Sequence, residues 1–207
     1  MKETTLRIRF FGDPVLRKKS TPVKHITLDH RDILSKMAQL MYEAGGIGLA
    51  APQVGINEAM IVADVGSGLY KLINPKIVKK EGSQVMEEGC LSLPGVCIKV
   101  KRARKVIVQA QDELAQTLTL EAEGLLACVF QHEIEHLKGK VIVDYASFFQ
   151  RLKIKKKLEE LKNASTLLSI STRSPSINSG SSRSRVKSRD ILKQAKSLDW
   201  RSGCSRE

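Results

Sequence analysis

The sequence lacks the features of membrane and secreted proteins. No apolar run among its 207 residues reaches the length of a membrane span, and residues 1–5 contain no apolar segment typical of a signal peptide. A long Arg- and Ser-rich transit segment is also missing. We therefore expect a cytoplasmic protein with no membrane contact, although an organellar location stays open.

Cysteines and acidic residues are few. The four cysteines, Cys90, Cys97, Cys128 and Cys204, lack the paired spacing of a zinc finger. Only 22 acidic residues stand against 35 Lys and Arg, which gives a net charge of +13. Such an excess favours partners of opposite charge, such as RNA.

The most informative segment is His132-Glu133-Ile134-Glu135-His136. Helical positions i and i+4 share a face, so both imidazoles could hold one metal ion while Glu133 moves a proton at bound water. The pattern is typical of metal-dependent amide hydrolases. The simpler alternative is two buried histidines satisfied by ordinary hydrogen bonds.

The surrounding residues predict a helix with its histidines turned inward. Apolar residues and the two histidines recur at i, i+3, i+4, i+7 and i+11, which indicates one buried stripe. The stripe comprises Leu125, Cys128, Val129, His132 and His136. Lys138 and Gly139 then favour an end to the helix.

Two histidines leave a tetrahedral catalytic metal one protein ligand short. Cys90 is the outstanding candidate, because Gly89 and Pro94-Gly95 predict a tightly turning backbone around it and a metal would stabilise its thiolate. The alternative for a single cysteine is a small buried apolar side chain.

A third segment, residues 45–53, combines three glycines with two alanines before Pro52. Small residues let a backbone approach a ligand closely, and the Gln53 amide could donate a hydrogen bond to a developing oxyanion. The alternative is an ordinary loop that ends a helix.

Together, Gly-Ile-Gly-Leu-Ala-Ala-Pro-Gln (46–53), Glu-Gly-Cys-Leu-Ser (88–92) and Gln-His-Glu-Ile-Glu-His-Leu (131–137) resemble the three motifs of the peptide deformylase family. The resemblance runs from about Arg7 to about Asn163. One departure is Glu135, where the family usually has Asp, which we expect to alter the surroundings of the ligands but not metal binding.

The resemblance implies removal of the formyl group from the formylmethionine of nascent chains. It assigns the metal to Cys90, His132 and His136, proton transfer to Glu133, and oxyanion binding to Gln53 and the backbone N–H of Leu91. Ferrous iron is the expected ion, with zinc, nickel or cobalt as alternatives. The residues implied in substrate binding are Gly46, Ile47, Met86, Gly89, Arg102, Leu125, Cys128 and Val129.

The pattern of periodic segments predicts an α+β fold. Helices are expected after Thr27 and Ser147, and strands near residues 60–65, 69–73, 105–110 and 117–120. We expect mixed or antiparallel sheets packed around the motif helix, followed by a C-terminal helix whose apolar residues face inward: Phe148, Phe149, Leu152, Leu158 and Leu161. We expect the protein to be a monomer.

The composition changes after Asn163. Residues 164–207 contain thirteen serines and nine Lys or Arg against three acids, which predicts a disordered or weakly helical basic tail after a catalytic domain at residues 1–163. A short helical turn is possible at residues 191–200. The tail is interpreted either as an electrostatic arm for the ribosome surface or as an extension without function.

Two other functions are consistent with parts of the sequence. A catalytically idle relative could bind the ribosome or RNA through the tail, and metal content with a formyl-Met assay would identify it. A zinc peptidase could share only the two histidines and Glu133, although such enzymes complete their site with a later Glu or His and not with a residue like Cys90.

Overall fold

The computed structural model describes residues 6–171, with side chains up to Thr166. The predicted helical turn at residues 191–200 lies outside this range, as does most of the predicted tail. Three helices are present in the described part: α1 (Leu28–Glu43), α2 (Gly124–His136) and α3 (Phe148–Ser171). The strands are β1 (Gly48–Ala50), β2 (Met60–Ala63), β3 (Tyr70–Glu81), β4 (Gln84–Glu88), β5 (Ile98–Arg102), β6 (Lys105–Gln111) and β7 (Thr117–Glu123).

Five strands form one antiparallel sheet in the order β1-β2-β3-β6-β7, and β4 pairs with β5 in a separate antiparallel ribbon. The predicted α+β class with antiparallel sheets is therefore confirmed. The four predicted strands correspond to β2, β3, β6 and β7. The sequence did not predict β1, β4 or β5.

Helix α1 closes one side of the large sheet. Its start is fixed by a reciprocal contact in which the Thr27 backbone N–H donates to His30 Nδ1 at 3.0 Å. Leu34, Met37 and Met41 are buried against β1 and β2. The helix ends before Gly45, whose φ of +69° suits glycine.

Helix α2 follows β7 directly and packs on the large sheet through Ala127, Phe130 and Ile134. Residues 127–134 are buried all round the helix, including its polar members. Burial of a polar side chain costs free energy unless a partner satisfies it. The polar residues of α2 therefore require partners, and several of these come from the β4–β5 ribbon.

Helix α3 begins with a capping box in which the Ser147 backbone N–H donates to Gln150 Oε1 at 2.9 Å. The prediction that Phe148 and Phe149 face inward is wrong, because they are 71% and 75% exposed. Leu152 is likewise exposed.

The reason is helical phase. The buried stripe of α3 follows Ile154, Leu158 and Leu161, which pack on the cluster beneath the β4–β5 ribbon. Successive residues of a helix are rotated by about 100°, which places Phe148, Phe149 and Leu152 outside this stripe. Helix α3 continues past residue 163, and the division into two domains stays a prediction. None of the helices described has the length and apolar character needed to cross a membrane.

Candidate metal centre and active site

Two elements converge to form a cluster of three potential metal ligands. Helix α2 supplies His132 and His136 one turn apart, and the turn after β4 supplies Cys90. Their ligand atoms all lie within 4.8 Å of one another, and all three residues are buried. The three side chains form a compact group suited to one ion.

The distances fit a tetrahedral ion. Nε2 of His136 lies 3.2 Å from Nε2 of His132 and 3.3 Å from Cys90 Sγ. Ligand atoms bonded at 2.0–2.3 Å to a tetrahedral metal are roughly 3.3–3.7 Å apart. Two imidazole nitrogens that face each other this closely need a proton or a cation between them. The donor set of one thiolate and two imidazoles therefore fits a divalent transition metal.

Glu88 fixes the orientation of His132. Its Oε2 lies 2.9 Å from His132 Nδ1, so the ring donates there and leaves Nε2 free to face His136. Burial alone would raise the pKa of Glu88, but hydrogen bonds from Arg102 and His132 outweigh it and lower the value to about 2. Glu88 is therefore a carboxylate at neutral pH.

The two histidines differ electrostatically. Burial opposes protonation of His132, yet contacts with Cys90 and Glu88 raise its pKa above the usual value. Burial lowers the pKa of His136, and the charge of His132 lowers it further. Without a metal, the pair thus favours one shared positive charge, which a bound divalent cation would replace.

Gln53 lies beside the three potential ligands with a defined orientation. Its Oε1 accepts a 2.8 Å hydrogen bond from the Ala50 backbone N–H, which directs the amide nitrogen toward the cluster. Nε2 lies 3.5 Å from Cys90 Sγ and 3.2 Å from Ser92 Oγ. The site therefore offers a preorganised N–H donor next to a ligand.

Glu133 is buried, and its Oε2 has no hydrogen-bond partner among the described residues. Burial raises its pKa to about 7, although the charge of His132 partly opposes this. A Cβ placed on Gly48 would come within 2.3 Å of Glu133 Oε1. Glycine at position 48 therefore leaves the space that this carboxylate occupies.

A cleft of about 260 Å³ opens over these groups. Seven of the residues expected to bind substrate line it: Gly46, Ile47, Met86, Gly89, Leu125, Cys128 and Val129. Gln53, Cys90, Leu91, His132 and Glu133 line it as well. His136 does not line the cleft and is only 1% exposed.

Arg102 is the exception. It does not line the cleft, is 4% exposed and pairs with Glu88 and Glu135, so its contact with the substrate peptide stays a prediction. Burial of a guanidinium requires such partners. Sequence reasoning also missed the roles of Glu88, Ser92 and Gly48, although a carboxylate two residues before a ligand cysteine is a signal that could have identified Glu88.

Comparisons with known proteins agree with this geometry. The family model described as polypeptide deformylase matches residues 5–152. A peptide deformylase of Halothermothrix orenii is 50% identical over 141 residues, covering 67% of this chain and 92% of the relative.

Solved structures give the same result. The peptide deformylase of Thermotoga maritima has a TM-score of 0.68 at 42% identity, covering 70% of this chain and 99% of its own. The peptide deformylase of Legionella pneumophila has a TM-score of 0.73 at 36% identity and covers 83% and 100%. The chain therefore belongs to the metal-dependent polypeptide deformylase family and is an enzyme that removes the N-terminal formyl group from nascent polypeptides.

Proposed function

We propose that Cys90, His132 and His136 hold one divalent metal ion and that Glu133 transfers the protons of deformylation. The observation that carries the proposal is the convergence of three potential ligand atoms within 4.8 Å, beside the buried Glu133 carboxylate, whose Oε2 has no hydrogen-bond partner among the described residues. When bound, the ion lowers the pKa of a water molecule and polarises the formyl carbonyl. The helix that carries His132, Glu133 and His136 packs on the large sheet and bonds to Glu88 and Arg102 of the β4–β5 ribbon, which supports its place as the central element of the fold.

Glu133 supplies acid–base chemistry near neutral pH. Its carboxylate accepts a proton from the attacking water and returns it to the leaving nitrogen, so the products are formate and a free amino terminus. Burial holds its pKa near 7, where both directions of transfer are efficient. A bound cation would lower this value.

Gln53 and the backbone N–H of Leu91 stabilise the oxyanion. The Gln53 amide is held by Ala50, so its N–H group is aimed at the cluster before the substrate arrives. Loss of one such donor typically lowers turnover by about 10²–10³-fold.

The cleft accommodates the methionine side chain. Met86, Cys128 and Val129 provide an apolar and adaptable wall, and Leu125 lies at the more exposed rim. Among the described strands, β1 pairs only with β2 and β4 only with β5. The substrate backbone binds as an extended strand between these two edges, near Gly46 and Gly89.

The ion is ferrous iron in the cell, with zinc, nickel or cobalt as substitutes. A single thiolate with two imidazoles binds all four. The enzyme acts as a cytoplasmic monomer. Residues 1–163 form the catalytic domain and residues 164–207 form a basic tail.

The basic C-terminal region attaches the enzyme to the ribosome surface. Helix α3 exposes Arg151, Lys153, Lys155 and Lys156, and the chain beyond Asn163 adds nine further cations. Reversing Lys155, Lys156 and Lys157 to Glu should reduce co-sedimentation with ribosomes at low salt. Unchanged pelleting would make these lysines a solvated face only.

One experiment tests the catalytic proposal. Protein purified without oxygen should contain one metal ion per chain and release formate from a formyl-Met tripeptide, while leaving the unformylated tripeptide intact. Cleavage of the unformylated peptide would favour a zinc peptidase. Metal-loaded protein without formate release would favour an inactive relative.

A further inference from the structure

Arg102 joins the two elements that carry the ligands. Its Nε and Nη2 donate to the two oxygens of Glu88 at 2.6 and 2.8 Å, and Nη1 donates to Glu135 at 2.5 Å. Glu88 ends β4, two residues before Cys90, and Glu135 lies beside His136 in α2. The three side chains form a bridge, here called the Arg102 bridge, between the cysteine turn and the histidine helix.

The geometry makes this bridge rigid. A guanidinium is planar and binds a carboxylate through two parallel bonds, so it fixes the direction as well as the distance of its partner. Tyr145 adds a third contact, since Arg102 Cζ lies 5.1 Å from the centre of its ring. Burial and an interaction with Glu135 raise the pKa of Tyr145, so this residue interacts with both Arg102 and Glu135.

We propose that Glu135 and Tyr145 are positioning residues that hold the Arg102 bridge and thereby keep Cys90 at the distance and orientation from His132 and His136 that metal binding requires. The inference rests on the proposed metal ligands. Neither residue lines the cleft, so each acts through Arg102. Glu135 contacts Arg102 directly through Oε2 and is the residue immediately before His136.

The first test compares two arginine–glutamate pairs, Arg102–Glu135 and Arg104–Glu123, whose arginines are two residues apart in the chain. Cobalt-loaded Glu135→Gln should lose its ion to a chelator about 10–100-fold faster than the parent, with a weaker thiolate-to-cobalt absorption band. The matched control is Glu123→Gln, which breaks the exposed pair between Glu123 and Arg104 Nε at 3.1 Å. Its cobalt loss should stay within about twofold of the parent.

The second test removes the ring from Arg102. Tyr145→Leu should accelerate cobalt loss by about 5–30-fold, because a partly desolvated cation–π contact is lost. Tyr42→Leu is the control, since Tyr42 also bonds a carboxylate, Asp64 Oδ2 at 2.7 Å, away from the site. Tyr145 is partly exposed, so this variant decides the question if Glu135→Gln does not fold.

Cys90→Ser distinguishes a failure of the proposed ligand set from a failure of the positioning inference. Cobalt-loaded Cys90→Ser that keeps the thiolate band would remove Cys90 from the ligand set and overturn the inference together with the proposed site. If Cys90→Ser loses the band but Glu135→Gln and Tyr145→Leu retain cobalt as well as their controls do, the ligand set stands and the positioning inference is refuted.

Discussion

Gly48→Ala probes how accurately Glu133 must be placed. A Cβ at position 48 would lie 2.3 Å from Glu133 Oε1 and 2.9 Å from both Glu133 Cδ and Val129 Cγ1. Carbon and oxygen atoms in contact are about 3.4 Å apart or more, so the carboxylate must move by roughly 1 Å. A misplacement of about 1 Å can lower turnover by about 10²-fold. The same crowding should cost about 1–3 kcal/mol of stability.

Formate release from a formyl-Met tripeptide measures the effect. We expect kcat to fall by about 10²-fold while the metal content stays at that of the parent, because the three atoms nearest to the added Cβ belong to Glu133 and Val129 and not to a ligand. Gly66→Ala is the control, since a Cβ there meets nothing within 4 Å and only the φ of +97° is strained. If Gly48→Ala retains half the parental kcat, the position of Glu133 does not control proton transfer as argued.

Three further predictions concern the site. Glu133→Gln should retain metal and lower kcat by about 10²–10⁴-fold, and metal loss would instead make Glu133 a ligand or a structural residue. In the metal-free protein, burial raises the pKa of Glu133 from 4.5 to about 7, so ionisation costs the folded state up to about 3 kcal/mol as pH rises through this range. Urea unfolding should therefore show metal-free Glu133→Gln to be more stable by about that amount above pH 7 and equal to the parent below about pH 4.5. The iron enzyme should lose activity in air faster than a nickel-substituted form, and equal half-lives would argue against an oxidisable iron–thiolate centre.

The sequence predicted the parts of the site that depend on local spacing. His132 and His136 share a helical face whatever the rest of the fold does, and Gln53 and Cys90 stand within short motifs. The burial of Arg102 could not be predicted, because its partners lie 14 and 33 residues away and only the fold brings them together. An unpaired Arg would be expected in solvent.

The β4–β5 ribbon and helix α3 also contain features that local sequence spacing did not predict. The strands β4 and β5 are only five residues long each, and the sequence did not predict them, although buried and exposed residues alternate strictly along β5. Phe148 and Phe149 were assigned to the core because they are apolar. Apolar character alone does not determine which residues of a helix pack against the rest of the protein. The phase of α3 turns both rings toward solvent.

The separation of the ligands along the chain has a consequence for the lifetime of the enzyme. Cys90 and His136 are 46 residues apart, so an ion bound to both closes a long loop. A disulfide that closed a loop of this length would stabilise the folded state by about 4 kcal/mol, through the entropy removed from the unfolded chain. A metal ion bound to Cys90 and His136 restricts the same loop, and it stabilises the folded state only while it is bound. Loss of the metal would then expose the enzyme to proteolysis, and the cellular supply of that metal would set the amount of deformylase as well as its activity per molecule.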